Sequence, residues 1–148
     1  MRIDLIDEPD DALRESVHFE LRRHNQTSNP LFWEKLDQPE HEARALNLFA
    51  FGPDDSVLGG LFATTRFSWL KIDVMATTLE HRHKGVGRAL VAEAERIARE
   101  RGCRYAYVDT MEYQAPRFYP QLGYRLVGTL PDWDSHGHAK LFFVKDLI

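Results

Sequence analysis

The sequence predicts an α/β domain of the α+β type, with one mixed, mostly antiparallel central sheet flanked by helices. Two observations carry this. Residues 70–109 read as strand, glycine-bearing loop, amphipathic helix and strand, an order that implies a right-handed crossover and one parallel pair. On either side, residues 46–67 and 124–145 each read as two apolar strands joined by a polar turn, and such turns make antiparallel pairs. No repeat, linker or low-complexity segment interrupts the 148 residues, so residues 1–148 are expected to be one domain.

Taken in order, Arg2 to Ile6 alternates polar and apolar residues as a half-buried strand would. Glu8-Pro9-Asp10-Asp11 reads as a helix start, and Leu13, Val17, Leu21 and His24 fall on one face of the helix that follows. Asn25 to Pro30 is expected to break it, and Phe32 and Trp33 to lie in a short helix or crossing segment before Pro39. Leu46 to Phe51 and Val57 to Phe67 form a hairpin about Gly52-Pro53-Asp54-Asp55-Ser56, and Leu70 to Ala76 is the next strand. Leu90, Ala94, Ile97 and Ala98 repeat at helical spacing, with arginines toward the C-terminus and Gly102 as cap. Cys103 to Asp109 is a strand; Pro116 and Gly123 bracket a short helix; Tyr124 to Leu130 and Ala139 to Lys145 are the last two strands.

Composition excludes some classes. Hydrophobic residues at 43 % and charged residues at 28 % are ordinary globular values, and a net charge of −4 gives no global reason to bind nucleic acid. No apolar run reaches the length of a membrane span, and Met1-Arg2-Ile3-Asp4 lacks the apolar core of a secretory signal. The lone Cys103 has no intrachain partner and opens an apolar strand, as a buried structural thiol does. These features predict a cytoplasmic protein with neither membrane nor nucleic-acid partner.

The loop Arg82-His83-Lys84-Gly85-Val86-Gly87-Arg88 is the most informative stretch. Two glycines let backbone N–H groups approach an anion, three cations surround them, and the following helix presents unpaired N–H groups and its positive dipole end. A phosphate or pyrophosphate ligand follows. The dinucleotide fingerprint fails because Leu90 stands where its third glycine belongs, and no Gly-Lys-Ser or Gly-Lys-Thr completes a Walker motif. An ordinary strand-to-helix turn on a charged surface would show the same residues.

Arg82-x-x-Gly85-x-Gly87 resembles the pyrophosphate loop of the GNAT superfamily of acyl-CoA-dependent N-acyltransferases. Gln114-Ala115-Pro116-Arg117-Phe118-Tyr119, ending at Gly123-Tyr124, resembles a second segment of that family, and of a bacterial subgroup with Gln-Ala-Pro ahead of Phe-Tyr. The resemblance implies a GNAT-like fold and acetyl transfer from acetyl-CoA, as co-substrate, to a primary amine in a direct ternary complex. It implies that Met75, Ala76 and Thr77 offer backbone groups to the acyl-CoA and that Arg82, His83, Lys84, Gly85, Val86, Gly87 and Arg88 hold its pyrophosphate. Gln114 stands near a family position that carries asparagine and is placed with the cofactor-binding residues.

For chemistry, the resemblance implies that Tyr119, in the Phe-Tyr pair, is the acid that protonates the departing thiolate; the residues alone read equally as a core tyrosine. Asp73 is the expected general base, since a carboxylate within Leu70 to Ala76 faces solvent or a cleft; strand parity puts it on the face of Met75 and Thr77. Asp109 and Glu112 are the alternates. His81 with His83, and His136 with His138, read as hydrogen-bonding groups, so no metal is expected. Glutamate at Gly87 is expected to block the pyrophosphate without unfolding the chain.

The acceptor side of such a fold is built by the first helical region and the last strand-to-strand loop. Here those carry Glu34, Asp37, Glu40 and Glu42 with Phe32 and Trp33, and Asp132 and Asp134 about Trp133. Carboxylates beside aromatic faces suit a small cationic amine. A homodimer is compatible with this reading. The alternatives are a noncatalytic domain of the same fold that binds CoA or a protein partner, and a nucleotide-binding regulator.

Overall fold

The computed structural model describes every residue except Ser135, together with every side chain except that of Glu40. The expectations placed on those two therefore lie outside the described residues. The chain forms two compact units, Met1–His41 and Glu42–Ile148.

In the first unit, Asp10 caps α1 (Asp11–Ser28) by accepting a hydrogen bond from the Leu13 N–H at 2.8 Å. Asn29 ends α1 and its side chain caps α2 (Pro30–Glu34), where Pro30 occupies the first turn. Two expectations are corrected. Residues 2–6 form no strand, and Leu5 is 92 % exposed, because alternation makes a strand only where a neighbour supplies the ladder. The helix runs through Asn25 to Ser28, since Thr27 and Ser28 bond back to Arg23 O and His24, and it stops only where Pro30 forbids continuation. Leu13, Val17 and Leu21 are exposed. The Asp10 cap holds its start, and the exposed ion pairs Arg22–Glu15 and Arg23–Glu20 lie along its surface and add little.

The second unit carries a six-stranded sheet in the order β1-β2-β3-β4-β6-β5. The strands are β1 (Arg44–Phe51), β2 (Val57–Arg66), β3 (Trp69–Thr77), β4 (Tyr105–Met111), β5 (Arg125–Leu130) and β6 (Lys140–Asp146). Only β3 and β4 pair in parallel, so the sheet is mixed and mostly antiparallel, as expected. Between them lies α3 (Val86–Glu100), which buries Leu90, Val91, Ala94 and Ala98 against the strands carrying Leu46, Leu61, Leu70 and Ile72. Each of these leucine, isoleucine and valine side chains contributes about 1.5–3 kcal/mol when fully buried, and the two alanines less. Cys103 is buried, and loss of solvation pushes its thiol up from the ordinary range. Gly102 takes φ 86°, the left-handed conformation that ends α3. The four-residue α4 (Phe118–Gln121) begins two residues after Pro116, so that proline leads into the helix.

Two irregularities shape the sheet. Pairing of β2 with β3 slips between Phe62↔Val74 and Ala63↔Ile72, which leaves Asp73 as the extra residue of a β-bulge. Pairing of β3 with β4 covers only Trp69–Ile72 against Tyr105–Val108, although β3 continues to Thr77 and β4 to Met111. Beyond Ile72 and Val108 the two strands part, forming a fork.

Candidate active site

The fork is open because β3 stays with β2 and β4 stays with β6. Alternate backbone groups of residues 73–77 therefore point away from β2 with no strand opposite them. Met75, Ala76 and Thr77 lie on this free arm. At its end a 3₁₀ turn at Leu79–His81, tied by Thr78 Oγ1 to His81 Nδ1 at 2.9 Å, leads into the glycine loop.

In that loop His83 at φ 61° and Gly85 at φ 89° both adopt left-handed conformations, which fold residues 82–85 tightly onto the start of α3. Gly85 caps the helix with no side-chain hydrogen bond, so the first N–H groups of α3 are left for another acceptor. Arg82, His83, Lys84 and Arg88 are exposed, and among the described residues none of Arg82, Lys84 and Arg88 enters an ion pair. Val86 is half-buried and packs on the core. The arrangement is a pocket of backbone donors ringed by unneutralised cations, and its chemistry suits a pyrophosphate.

Gly87 corrects an expectation. It is buried, and a Cβ there would lie 3.3 Å from Phe118 Cζ and 3.5 Å from Met75 Sδ. A side chain at Gly87 meets α4 and β3, so Gly87→Glu would disturb packing as well as any anion.

Tyr119 on α4 is 4 % exposed and sits among Phe118, Tyr124 and Phe143, with ring centroids 5.1, 5.6 and 6.1 Å away. Burial pushes its phenol up to about 12, so the hydroxyl keeps its proton throughout the physiological range. Gln114 serves the turn before α4: its side-chain oxygen accepts from Met111 N–H at 2.9 Å and from Thr110 Oγ1 at 3.1 Å. Only its amide NH₂ remains as a donor to a ligand.

Asp73 does not share the face of Met75. The bulge interrupts the alternation, so Met75 packs on the core whereas Asp73 lies with Lys71, whose Nζ is 2.8 Å from Asp73 Oδ1. The hydrogen bond to Asp73 raises the Lys71 ammonium, with Tyr107 and Asp109 adding to it. Asp109, the first residue of β4 past the fork, pairs with Lys140 at 2.9 Å. Glu112 pairs with His138 at 3.1 Å. Asp73, Lys71, Asp109 and Lys140 thus form a row of alternating charge across β3, β4 and β6. It borders an apolar groove of about 400 Å³ lined by Trp69, Tyr107, Val127, Phe142, Phe143 and Val144. Sequence reasoning missed Lys140 and the groove, since neither has a local signature.

The acidic loop also differs from expectation. Asp134 Oδ1 accepts from the N–H groups of His136 and His138, which holds its carboxyl below the usual range, and Trp133 has Lys140 Nζ 4.6 Å from its ring centroid. Both groups are engaged within the chain. Glu34, Asp37 and Glu42 are exposed, Phe32 and Trp33 half-buried. Among the described residues no cluster of three or more His, Cys, Asp or Glu could hold a metal, and no helix is long and apolar enough to cross a membrane.

A glycine loop feeding a helix beside a forked sheet defines a class of anion-binding α/β folds, and comparison with known proteins gives its family. Residues 11–124 match the model of the acetyltransferase (GNAT) family, and the chain belongs to that family. It is 37 % identical over 113 residues to the blasticidin-S acetyltransferase of Streptomyces morookaense, spanning 74 % of this chain and 82 % of that one. A crystal structure of an acetyltransferase from Bacillus cereus superimposes with a TM-score of 0.74 at 29 % identity, covering 97 % of each chain. Nourseothricin acetyltransferase superimposes with a TM-score of 0.63 at 25 % identity over 76 % of this chain and 68 % of its own.

Proposed function

We propose that the chain moves an acetyl group from acetyl-CoA to a primary amine by direct transfer in a ternary complex, with a small cationic amine as acceptor. The fork between β3 and β4, ending at the unneutralised cations and free N–H groups at the start of α3, is the observation that carries this reading. Pyrophosphate would sit on residues 82–88, and the acyl arm would lie along Met75, Ala76 and Thr77, where a backbone N–H polarises the thioester oxygen. The NH₂ of Gln114 is a further donor to this ligand. The amine nitrogen attacks the carbonyl carbon, the C–S bond breaks, and Tyr119 gives its proton to the thiolate. Because burial makes the phenol a weaker acid, the proton moves as the C–S bond breaks. Asp73, past the fork on β3, receives the amine's proton directly or through water once Lys71 yields.

The blasticidin-S and nourseothricin enzymes support a small-molecule acceptor. Asp73 and Asp109 at the fork support a cationic one, because each already holds an ammonium, that of Lys71 or Lys140, which an acceptor cation can displace. The test is calorimetry with CoA, followed by thiol release across polyamines, aminoglycosides, amino acids and peptide N-termini at low and high salt. Saturable CoA binding and a salt-sensitive preference for polyamines or aminoglycosides are expected. Absence of CoA binding at millimolar ligand would end the proposal. A best acceptor neutral apart from its reacting amine, with a rate indifferent to salt, would end its electrostatic part.

A second reading, a CoA-binding domain without turnover, is favoured by one observation: Asp73 and Asp109 are each paired with a lysine. CoA binding with no thiol release from any amine would establish it.

A further inference from the structure

We infer that Asp109, Trp133 and Phe142 form a cage for a primary ammonium, filled here by the chain's own Lys140, and that an acceptor with two ammonium groups places the non-reacting one in it. Lys140 Nζ is 2.9 Å from Asp109 Oδ1, 4.6 Å from the Trp133 ring centroid and 5.8 Å from that of Phe142. One carboxylate and two aromatic faces are the chemistry that recognises such a cation.

The backbone that carries the cage is held independently of the Lys140 side chain. Asp109 and Phe142 face each other in the β4–β6 register. Trp133 rides on a loop fixed by its own N–H donating to His138 O at 2.9 Å and by Asp134 accepting from His136 and His138. Lys140 reaches it by a flexible four-carbon stem and is 23 % exposed, so its ammonium can swing to water while the cage stays formed. Asp109 is also the first residue of β4 beyond the fork, which sets the cage beside the place where the amine must react. Lys140 is then a tethered competitor whose effective concentration, of millimolar order, an acceptor must exceed.

The acceptor role rests on the acetyl-transfer reading, but the cage does not. The test is Lys140→Ala, titrated with n-butylammonium in the absence of acetyl-CoA and read by tryptophan fluorescence and thermal midpoint, with n-butanol as the neutral control. Saturable stabilisation by butylammonium is expected in Lys140→Ala but not in wild type, with loss when Asp109→Asn is added. No saturable response, or an equal response to butanol, overturns the cage. Should Lys140→Ala not fold, Lys140→Met keeps the stem and methylammonium becomes the probe, with the same outcomes. In transfer assays the KM for 1,4-diaminobutane is expected to fall about tenfold or more in the variant relative to that for n-butylamine. An unchanged ratio overturns the acceptor role. Ammonium binding with no transfer to any amine instead overturns the acetyl-transfer reading and leaves the cage standing.

Discussion

Gly87 lies against the ring of Phe118: a Cβ on Gly87 would lie 3.3 Å from Phe118 Cζ, tighter than most side chains tolerate. This contact joins the first turn of α3 to the helix that carries Tyr119. Gly87→Ala is therefore expected to destabilise by about 1–3 kcal/mol in denaturant unfolding, with a matching loss of turnover, because an extra carbon forces ring or backbone to move. Wild-type stability would show that the Phe118 ring gives way freely.

Arg82, Lys84 and Arg88 contribute little to the fold, being exposed and without ion pairs among the described residues. Reversing any one to glutamate is expected to weaken CoA binding roughly 5–10-fold at low salt and less at high salt, with the thermal midpoint little changed. Equal CoA affinity in all three variants would place the pyrophosphate elsewhere.

Tyr119→Phe is expected to lower kcat about 10²–10⁴-fold while acetyl-CoA affinity holds, since one proton donor is lost and the ring packing is kept. The raised phenol also predicts alkaline behaviour. Its folded value of about 12 exceeds an unfolded value near 10, so the native state retains this proton where the unfolded chain loses it. The associated stability, roughly 3 kcal/mol at most, is fully present below pH ~10 and lost as pH rises toward ~12. Tyr119→Phe should flatten that decline, and an unaltered alkaline unfolding curve would contradict the burial argument.

Asp73→Asn is expected to cost most turnover at low pH, where the acceptor amine is mostly protonated and a base is most needed. If the pH profile matched wild type, the role would pass to Asp109, Glu112 or water.

Glu95 lies on the buried face of α3, where both its oxygens take Lys145 Nζ at 2.8 and 2.7 Å. Its side chain is 6 % exposed and that of Lys145 22 %, so Glu95→Ala should leave a partly solvated lysine unpaired and cost about 1–3 kcal/mol. Replacing both, as Glu95→Leu with Lys145→Met, is expected to recover most of that in thermal unfolding. Failure of the pair to recover would mean that the bridge fixes the α3–β6 packing.

From β1 onward the order of elements, the hairpins, the long helix, the glycine loop and the Phe-Tyr segment were legible in the residues, because each rests on interactions a few positions apart: side-chain periodicity, turn chemistry, caps. Gly85 and Gly102 stand where left-handed conformations are required, and no neighbour was needed to see it. Other features depended on contacts across the fold. Asp73 changed face because one extra residue in β3 faces β2, and no local pattern marks which residue of a strand will lie opposite a gap. Gly87 proved to be a packing position only when Phe118, 31 positions later, closed over it. Residues 2–6 had the alternation of a strand without a neighbour to complete it, and Trp133 had the chemistry of a cation site that a lysine seven positions on already fills. Local free energies decide which elements form, but which side chain meets which is set by the register and divergence of strands distant in sequence.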